Sequence, residues 1–172
     1  MPISSFFVIL YIDKEIFCGG VLIMKIAVGC DHGGLSLKNE IVKHLGSSNI
    51  EVTDFGTYTE DSCDYPDYAL KVALAVVGQE FDLGILICGT GIGVSITANK
   101  VPGIRAALCS DTFSAHATRE HNNANILTLG QRVVGMGLAL DIVDTFINAK
   151  FQGDRHQKRI DKITEIEKKY SK

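Results

Sequence analysis

Residues 83–100 read LGILICGTGIGVSITANK, and this stretch decides the fold. Its first part, residues 83–88, is a continuous apolar run, which is typical of a central strand in a parallel sheet that is covered on both faces. A glycine-rich turn at residues 89–93 interrupts the run, and residues 92–99 then have the pattern of a short helix. A strand, a tight turn and a helix in this order predict one unit of an α/β fold.

The same alternation continues on both sides of this stretch. Further strands are predicted at residues 25–30, 51–54, 104–109 and 126–129, and further helices at 35–45, from Tyr65 to Val77, at 112–120 and at 135–149. Five alternations predict an α/β protein with a doubly wound, five-stranded parallel sheet (Rossmann-like) and helices on both faces. The charged tail at residues 154–172 has only a narrow apolar stripe, which predicts a C-terminal helix that lies on a surface or at a subunit interface.

Composition excludes several classes of protein. The chain has 172 residues, of which 46% are apolar and 22% charged, as expected for one globular domain. Its net charge is −3 and it has no block of Lys and Arg, so we expect no nucleic-acid partner and no membrane partner. The five cysteines are an odd number without a C-x-x-C pair, which favours reduced thiols in the cytoplasm over disulfides or a metal site.

The first 23 residues require a separate interpretation. The apolar run from Phe6 to Ile12 is far shorter than the roughly 20 residues that span a bilayer, and no basic residue precedes it. Met24 then opens a regular strand. We therefore predict that residues 1–23 are an N-terminal extension outside the core and that residues 24–172 form the functional domain. The alternative is an additional edge strand at Phe6–Ile12.

The ends of the strands carry the candidate functional residues, because ligands bind at the carboxyl edge of such sheets. These ends are Cys30-Asp31-His32, Cys88-Gly89-Thr90-Gly91 and Cys109-Ser110-Asp111. The glycine-rich turn after Cys88 offers main-chain N–H groups to an anion. Its position after the third strand and the absence of Gly-Lys-Ser/Thr argue against a nucleotide-phosphate loop. Cys88, at the start of a helix, is a candidate thiolate base or nucleophile, or else a buried packing residue.

Other polar residues have both a chemical and a structural interpretation. Asp31 is a candidate acid or base, or a helix cap, and His32 could bind an anion. His121 lies in a predicted polar loop with three Asn residues and suits acid–base catalysis, although such a loop also occurs on ordinary surfaces. Arg155 and Arg159 share one helix face and, with Arg132, suit a phosphate dianion; the alternative is a solvated charged face. Together these groups predict a site for a phosphorylated small molecule with proton-transfer chemistry.

Six motifs carry a resemblance to a known family. They are KIAVGCDHGG (25–34), DYP (64–66), ICGTGIG (87–93), REHN (119–122), GQRVVG (130–135) and GDRHQKRI (153–160). In this combination the chain resembles the type B ribose-5-phosphate isomerases and the related galactose-6-phosphate isomerase subunits. The resemblance runs from Met24 to the C-terminus, and residues 1–23 have no counterpart in it.

The resemblance implies a cofactor-independent aldose–ketose isomerase for ribose 5-phosphate and ribulose 5-phosphate. It also implies a homodimer or dimer of dimers with sites shared between subunits. Cys88 would be the base, and His121 with Asp31 would open the sugar ring. The enediolate would be held by Gly89, Thr90, Gly91, Ile92 and Gly93. The phosphate would be bound by His32, Arg132, Arg155 and Arg159, with Asn122 on a sugar hydroxyl and Tyr65 lining the pocket.

Three alternatives remain open from the sequence. A six-carbon sugar phosphate, such as allose or galactose 6-phosphate, could be the substrate, since pocket length is not readable from the sequence. A non-catalytic nucleotide-binding α/β module is a second alternative, which the missing first-strand G-x-G-x-x-G weakens. A thiol-redox role is a third, weakened because no resolving cysteine lies near Cys88 in the sequence.

Overall fold

The computed structural model describes residues 23–48 and 50–171. Except for Ile23, the predicted N-terminal extension and the alternative strand at Phe6–Ile12 lie outside the described residues. Within the described ranges, no helix is long and apolar enough to cross a membrane.

Strands and helices alternate along the described chain. The strands are β1 (Met24–Cys30), β2 (Ile50–Asp54), β3 (Leu83–Cys88), β4 (Ala106–Leu108) and β5 (Ile126–Gly130). The helices are α1 (Leu35–Gly46), α2 (Tyr65–Val77), α3 (Ile92–Ala98), α4 (Thr112–Asn122), α5 (Met136–Asn148) and α6 (Asp154–Tyr170). A single 3-10 turn, His32–Gly34, connects β1 to α1 within this part of the chain.

The described strands form one five-stranded sheet in the order β2-β1-β3-β5-β4, and every pair is parallel. Apolar side chains cover both faces of this sheet. One face packs against α1, α4 and α5, and the other packs against α2 and α3. This arrangement confirms the predicted doubly wound α/β fold. The continuous apolar run of residues 83–88 is fully buried, as a strand with helices on both sides requires.

The predicted bounds of two elements were wrong by up to two residues. The strand predicted at residues 104–109 comprises only Ala106–Leu108, because β4 is an edge strand whose register with β5 covers three residue pairs. The helix predicted to end at residue 120 continues to Asn122 and ends where Asn123 adopts a left-handed conformation with φ 46°. His121 therefore lies in the last helical turn and not in a loop.

Helix α6 packs on the surface of the domain, as its narrow apolar stripe predicts. Its buried residues are His156 and Ile160, and it contacts α4. Farther along the helix, Ile163, Ile166 and Tyr170 are exposed. The described chain alone therefore leaves much of the apolar stripe of α6 uncovered.

The fold places a crevice between the carboxyl ends of β1 and β3. These strands are neighbours, but the chain that follows β1 enters α1 on one face, whereas the chain that follows β3 enters α3 on the other. A crevice at such a switch point is the usual ligand site of a doubly wound sheet.

Candidate active site

Asp31 and Cys88 lie side by side at this crevice. Strands β1 and β3 pair in parallel with Cys30 opposite Ile87, and the Asp31 N–H donates to the Ile87 carbonyl at 3.3 Å. Both side chains are shielded from solvent, since Asp31 is 7% exposed and Cys88 is 5% exposed. A carboxylate and a thiol therefore share one secluded edge of the sheet.

The sulfur of Cys88 faces the glycine turn. The Gly91 N–H donates to Cys88 Sγ at 3.0 Å. Gly91 has φ +77°, and a Cβ there would lie 2.5 Å from Leu108 Cδ1 and 2.8 Å from the Leu129 carbonyl carbon. Gly130 is similarly confined, because its Cβ would lie 2.6 Å from the Thr90 carbonyl carbon. Only glycine at these positions lets the turn fold back over the sheet and aim a main-chain donor at the sulfur.

Tyr65 forms one wall of the turn. A Cβ on Gly93 would lie 2.8 Å from the Tyr65 ring, so the ring packs directly on the backbone there. Thr90 is exposed, and its Oγ1 accepts a hydrogen bond from the Ile92 N–H at 3.4 Å. Thr90 and Ile92 are thus exposed residues of the glycine turn and of the helix start that follows it.

The Asp31 carboxylate does not act as a helix cap. It makes no capping hydrogen bond to the turn that follows, and among the described residues no partner satisfies its buried Oδ1. A Cβ on Gly33 would lie 3.3 Å from Asp31 Oδ1 and 3.2 Å from the Gly89 nitrogen, so the carboxylate approaches the glycine turn. A buried acceptor without a partner indicates a place where a ligand donor binds.

His32 is held by Cys63, a contact that the sequence alone does not indicate. The Cys63 N–H donates to His32 Nδ1 at 3.2 Å, which leaves Nε2 to carry the proton of the neutral ring. Cys63 lies in the irregular loop between β2 and α2, where no periodic pattern indicates a contact with residue 32. Its one signal was its position directly before the D-Y-P motif.

Arg132 lies against the same turn. Its N–H donates to the Gly89 carbonyl at 3.0 Å, and its guanidinium Nε lies 3.5 Å from the point where a Gly89 Cβ would be. Gln131 donates to the Cys88 carbonyl at 3.0 Å, so the segment after β5 folds over the end of β3. This brings a positive charge to the entrance of the crevice.

A second cluster joins the end of α4 to the start of α6. The rings of His121 and His156 stack with their centroids 4.3 Å apart and their planes at 7°. Arg155 Nε donates to His156 Nε2 at 3.3 Å, and Arg155 and Arg159 are exposed. The sequence assigns no role to His156, because nothing in it indicates a contact across 35 residues.

The two clusters lie at opposite ends of the strands: the crevice at the carboxyl ends, and the α4–α6 cluster at the amino ends. Asn122 ends α4 beside the start of β4, where Arg105 Nε donates to its carbonyl at 3.1 Å. Asn125 accepts a hydrogen bond from Gly84, and about 13 Å of strand separates Gly84 from Cys88. Within one chain, the structure therefore does not bring His121, Asn122, Arg155 and Arg159 to the crevice.

The remaining candidates at strand ends have structural roles. Asp111 caps α4 by accepting the Ser114 N–H at 2.7 Å and the Ser114 hydroxyl at 2.9 Å, and these bonds lower the pKa of Asp111. Burial raises the pKa of Cys30 to about 12 and that of Cys109 to about 11. These two thiols stay protonated at neutral pH and belong to the core.

The crevice combines a thiol, a carboxylate, main-chain donors and a guanidinium at the switch point of a parallel sheet. This combination defines an α/β enzyme of small molecules with groups suited to proton transfer. A family model described as Ribose/Galactose Isomerase matches residues 26–163. The chain belongs to this family, which makes it an isomerase and confirms the resemblance seen in the sequence.

Curated and solved relatives agree with this assignment. Ribose-5-phosphate isomerase B of Escherichia coli strain K12 is 55% identical over 145 residues, covering 84% of this chain and 97% of that protein. The solved ribose-5-phosphate isomerase B of Clostridium thermocellum is 62% identical with a TM-score of 0.85, covering 86% of this chain and 100% of that one. The Mycoplasma genitalium enzyme, solved with bound ribulose-5-phosphate, is 47% identical with a TM-score of 0.81, covering 84% and 97%.

Proposed function

We propose that this chain interconverts ribose 5-phosphate and ribulose 5-phosphate through an enediolate. The observation that carries the proposal is the hydrogen bond from Gly91 to the sulfur of Cys88, beside the unpartnered carboxylate of Asp31. The relative solved with bound ribulose-5-phosphate supports the choice of a pentose phosphate. Moving a proton between adjacent carbons leaves the overall oxidation level unchanged, so the reaction consumes no redox cofactor.

In this proposal Cys88 is the base. Its thiolate takes the proton from C2 of the open-chain aldose, and the electron pair of that C–H bond forms the C1–C2 double bond of the enediolate. The negative charge develops on oxygen, where the N–H groups of residues 89–93 are able to stabilise it. A proton moves from O2 to O1, and the thiol then returns its proton to C1, which leaves the carbonyl at C2.

The other residues bind the substrate and open its ring. His121 and Asp31 transfer the protons of furanose opening, for which a histidine near neutrality is suited. His32 donates from Nε2 to the phosphate, which Arg132, Arg155 and Arg159 also bind. Asn122 binds a sugar hydroxyl, and Tyr65 forms a wall of the pocket. Phosphate binding far from the reacting carbons supplies binding energy for their positioning.

We also propose that a homodimer, alone or as a dimer of dimers, completes this site. His121, Asn122, Arg155 and Arg159 of one copy would face the crevice of the other. Exposed apolar side chains at or after the carboxyl ends of β3, β4 and β5 support this proposal: Ile92, Leu108, Phe113, Val133 and Met136. Phe113 is 79% exposed, and a partner copy that covers this group of apolar side chains would bury it.

The proposal also includes the bounds of the catalytic domain and the cellular compartment of the protein. The catalytic domain spans residues 24–172, with residues 1–23 as an extension, and the family match that begins at residue 26 supports this division. Cys30, Cys63, Cys88 and Cys109 are all free thiols, which supports a reducing compartment such as the cytoplasm.

The decisive experiment is an assay of the purified full chain with ribose 5-phosphate, in which the appearance of ketose is followed with and without a chelator. Parallel reactions with allose 6-phosphate and galactose 6-phosphate test the six-carbon alternative. We expect the highest kcat/KM with ribose 5-phosphate. A higher value with a six-carbon substrate would overturn the pentose assignment. Tight binding of AMP or NAD without any isomerisation would favour a nucleotide-binding module instead.

A further inference from the structure

His156 is a buried side chain that the proposed mechanism does not use. It is 4% exposed and lies in the first turn of α6, one turn before the buried Ile160. Its ring covers one face of the His121 ring at 4.3 Å, with the two planes within 7° of parallel. A flat, buried contact of this kind restricts the rotation of His121 about its side-chain bonds.

One edge of the His156 ring forms a hydrogen bond with Arg155. The Nε–H of Arg155 donates to His156 Nε2 at 3.3 Å, so Nε2 acts as an acceptor and the neutral ring carries its proton on Nδ1. Protonation of Nε2 would remove this acceptor. His156 thus contacts both a group proposed for ring opening and a group proposed for phosphate binding.

Burial and the positive charges around His156 disfavour the protonated form of its ring. His121 and Glu120 face it from α4, and Arg155 and Arg159 face it from α6. Burial, followed by the positive charges of His121, Arg155 and Arg159, lowers the pKa of His156, and Glu120 opposes this only in part. A neutral ring can support His121 without competing with it for the proton that ring opening transfers.

We propose that His156 is a positioning residue that holds the ring plane of His121 for ring opening and the guanidinium of Arg155 for phosphate binding. The inference rests on the proposed function, since both partners take their roles from it. The two contacts of His156 can be removed one at a time by substitution. Phenylalanine keeps a flat ring but cannot accept a hydrogen bond, whereas asparagine can accept one but cannot stack.

The test measures initial rates from both substrates for His156→Phe, His156→Asn and His156→Ala. Ribose 5-phosphate enters mainly as a closed ring, whereas ribulose 5-phosphate is open-chain because its 5-oxygen carries the phosphate. We expect His156→Asn to lower kcat from ribose 5-phosphate at least about tenfold, with a much smaller change from ribulose 5-phosphate. We expect His156→Phe to retain kcat and to raise KM for both substrates, and His156→Ala to combine the two effects.

A histidine elsewhere provides the control. His44 pairs with Asp144 between α1 and α5 and has no role in the proposed site, so His44→Ala should leave both directions unchanged. If the His156 variants are as active as the wild type, or lose activity equally in both directions with unchanged KM, the positioning role is wrong. If the wild type isomerises neither substrate, it is the proposed function that fails. In wild type, the His121 ring protons should show a ring-current shift that His156→Ala abolishes.

Discussion

The N–H of Gly91 donates to the sulfur of Cys88 at 3.0 Å, three residues along the chain. This contact exists because Gly91 has a left-handed backbone conformation that brings the turn back over the end of β3. The buried sulfur is thereby directed toward a main-chain donor of the glycine turn. A group that removes a proton next to a carbonyl needs such donors close to the oxygen that becomes charged.

Replacing the sulfur should therefore stop turnover and leave the fold intact. We expect Cys88→Ala to lower kcat by about 10³-fold or more, because a positioned base contributes about 10²–10⁴-fold. The unfolding temperature should change little. Cys109→Ala is the matched control, since Cys109 is an equally buried thiol that belongs to the core and should retain full kcat. Substantial isomerisation by Cys88→Ala would remove Cys88 from the role of base.

The conformation of the turn is testable at Gly91. We expect Gly91→Ala to destabilise the fold by about 1–2 kcal/mol through its left-handed backbone, before the contact with Leu108 is counted. We also expect a loss of about 10²-fold in kcat, because the donors move. Gly137→Ala, in the first turn of α5 with no atom within 4 Å of the added Cβ, should be neutral or stabilising. Equal behaviour of the two variants in thermal unfolding and turnover would contradict this account.

The apolar periodicity of the sequence was sufficient to predict the fold, because each strand and helix buries its own side chains. The length of the edge strand β4 was overestimated, since an edge strand pairs on one side only and three of its residues are in register with β5. Helix α4 was predicted to end too early because His121 and Asn122 are polar and were assigned to a loop, whereas the helix ends at Asn123, which has a left-handed conformation.

Contacts within the site were harder to predict. The bond between Cys63 and His32 and the stack of His121 on His156 each join segments more than 30 residues apart, and no periodic pattern encodes such pairs. The separation of the two clusters was predictable in principle. In a β–α–β unit the helix runs back across the sheet, so the end of α4 must lie at the edge opposite to Cys88.

Low pH should weaken the contact between α6 and α4. Because the pKa of His156 is lowered in the folded protein, the unfolded chain binds more protons as the pH falls below the ordinary value of 6.5. Stability is therefore full above that pH and is lost as the pH falls through the folded pKa. Urea unfolding at neutral and at mildly acidic pH should show a larger loss for wild type than for His156→Phe, whose ring cannot be protonated. The same loss in both would show that other groups dominate.

Hybrid dimers test whether two chains share one site. Cys88→Ala removes a residue of the crevice, and His121→Ala removes a residue of the α4–α6 cluster. Each should be inactive alone. Co-expressed with different affinity tags and purified as the hybrid, the two chains form one site that carries both changes and one unchanged site. We therefore expect the hybrid to recover about half of the wild-type activity.

A pair of changes within the same cluster is the control for this recovery. Cys88→Ala combined with Asp31→Ala leaves every site of a hybrid with one changed crevice residue, so no unchanged site can form. If both residues of the first pair acted within one chain, its hybrid would be as inactive as its parents. Recovery of activity by the first pair but not by the second would therefore show that two chains share each site.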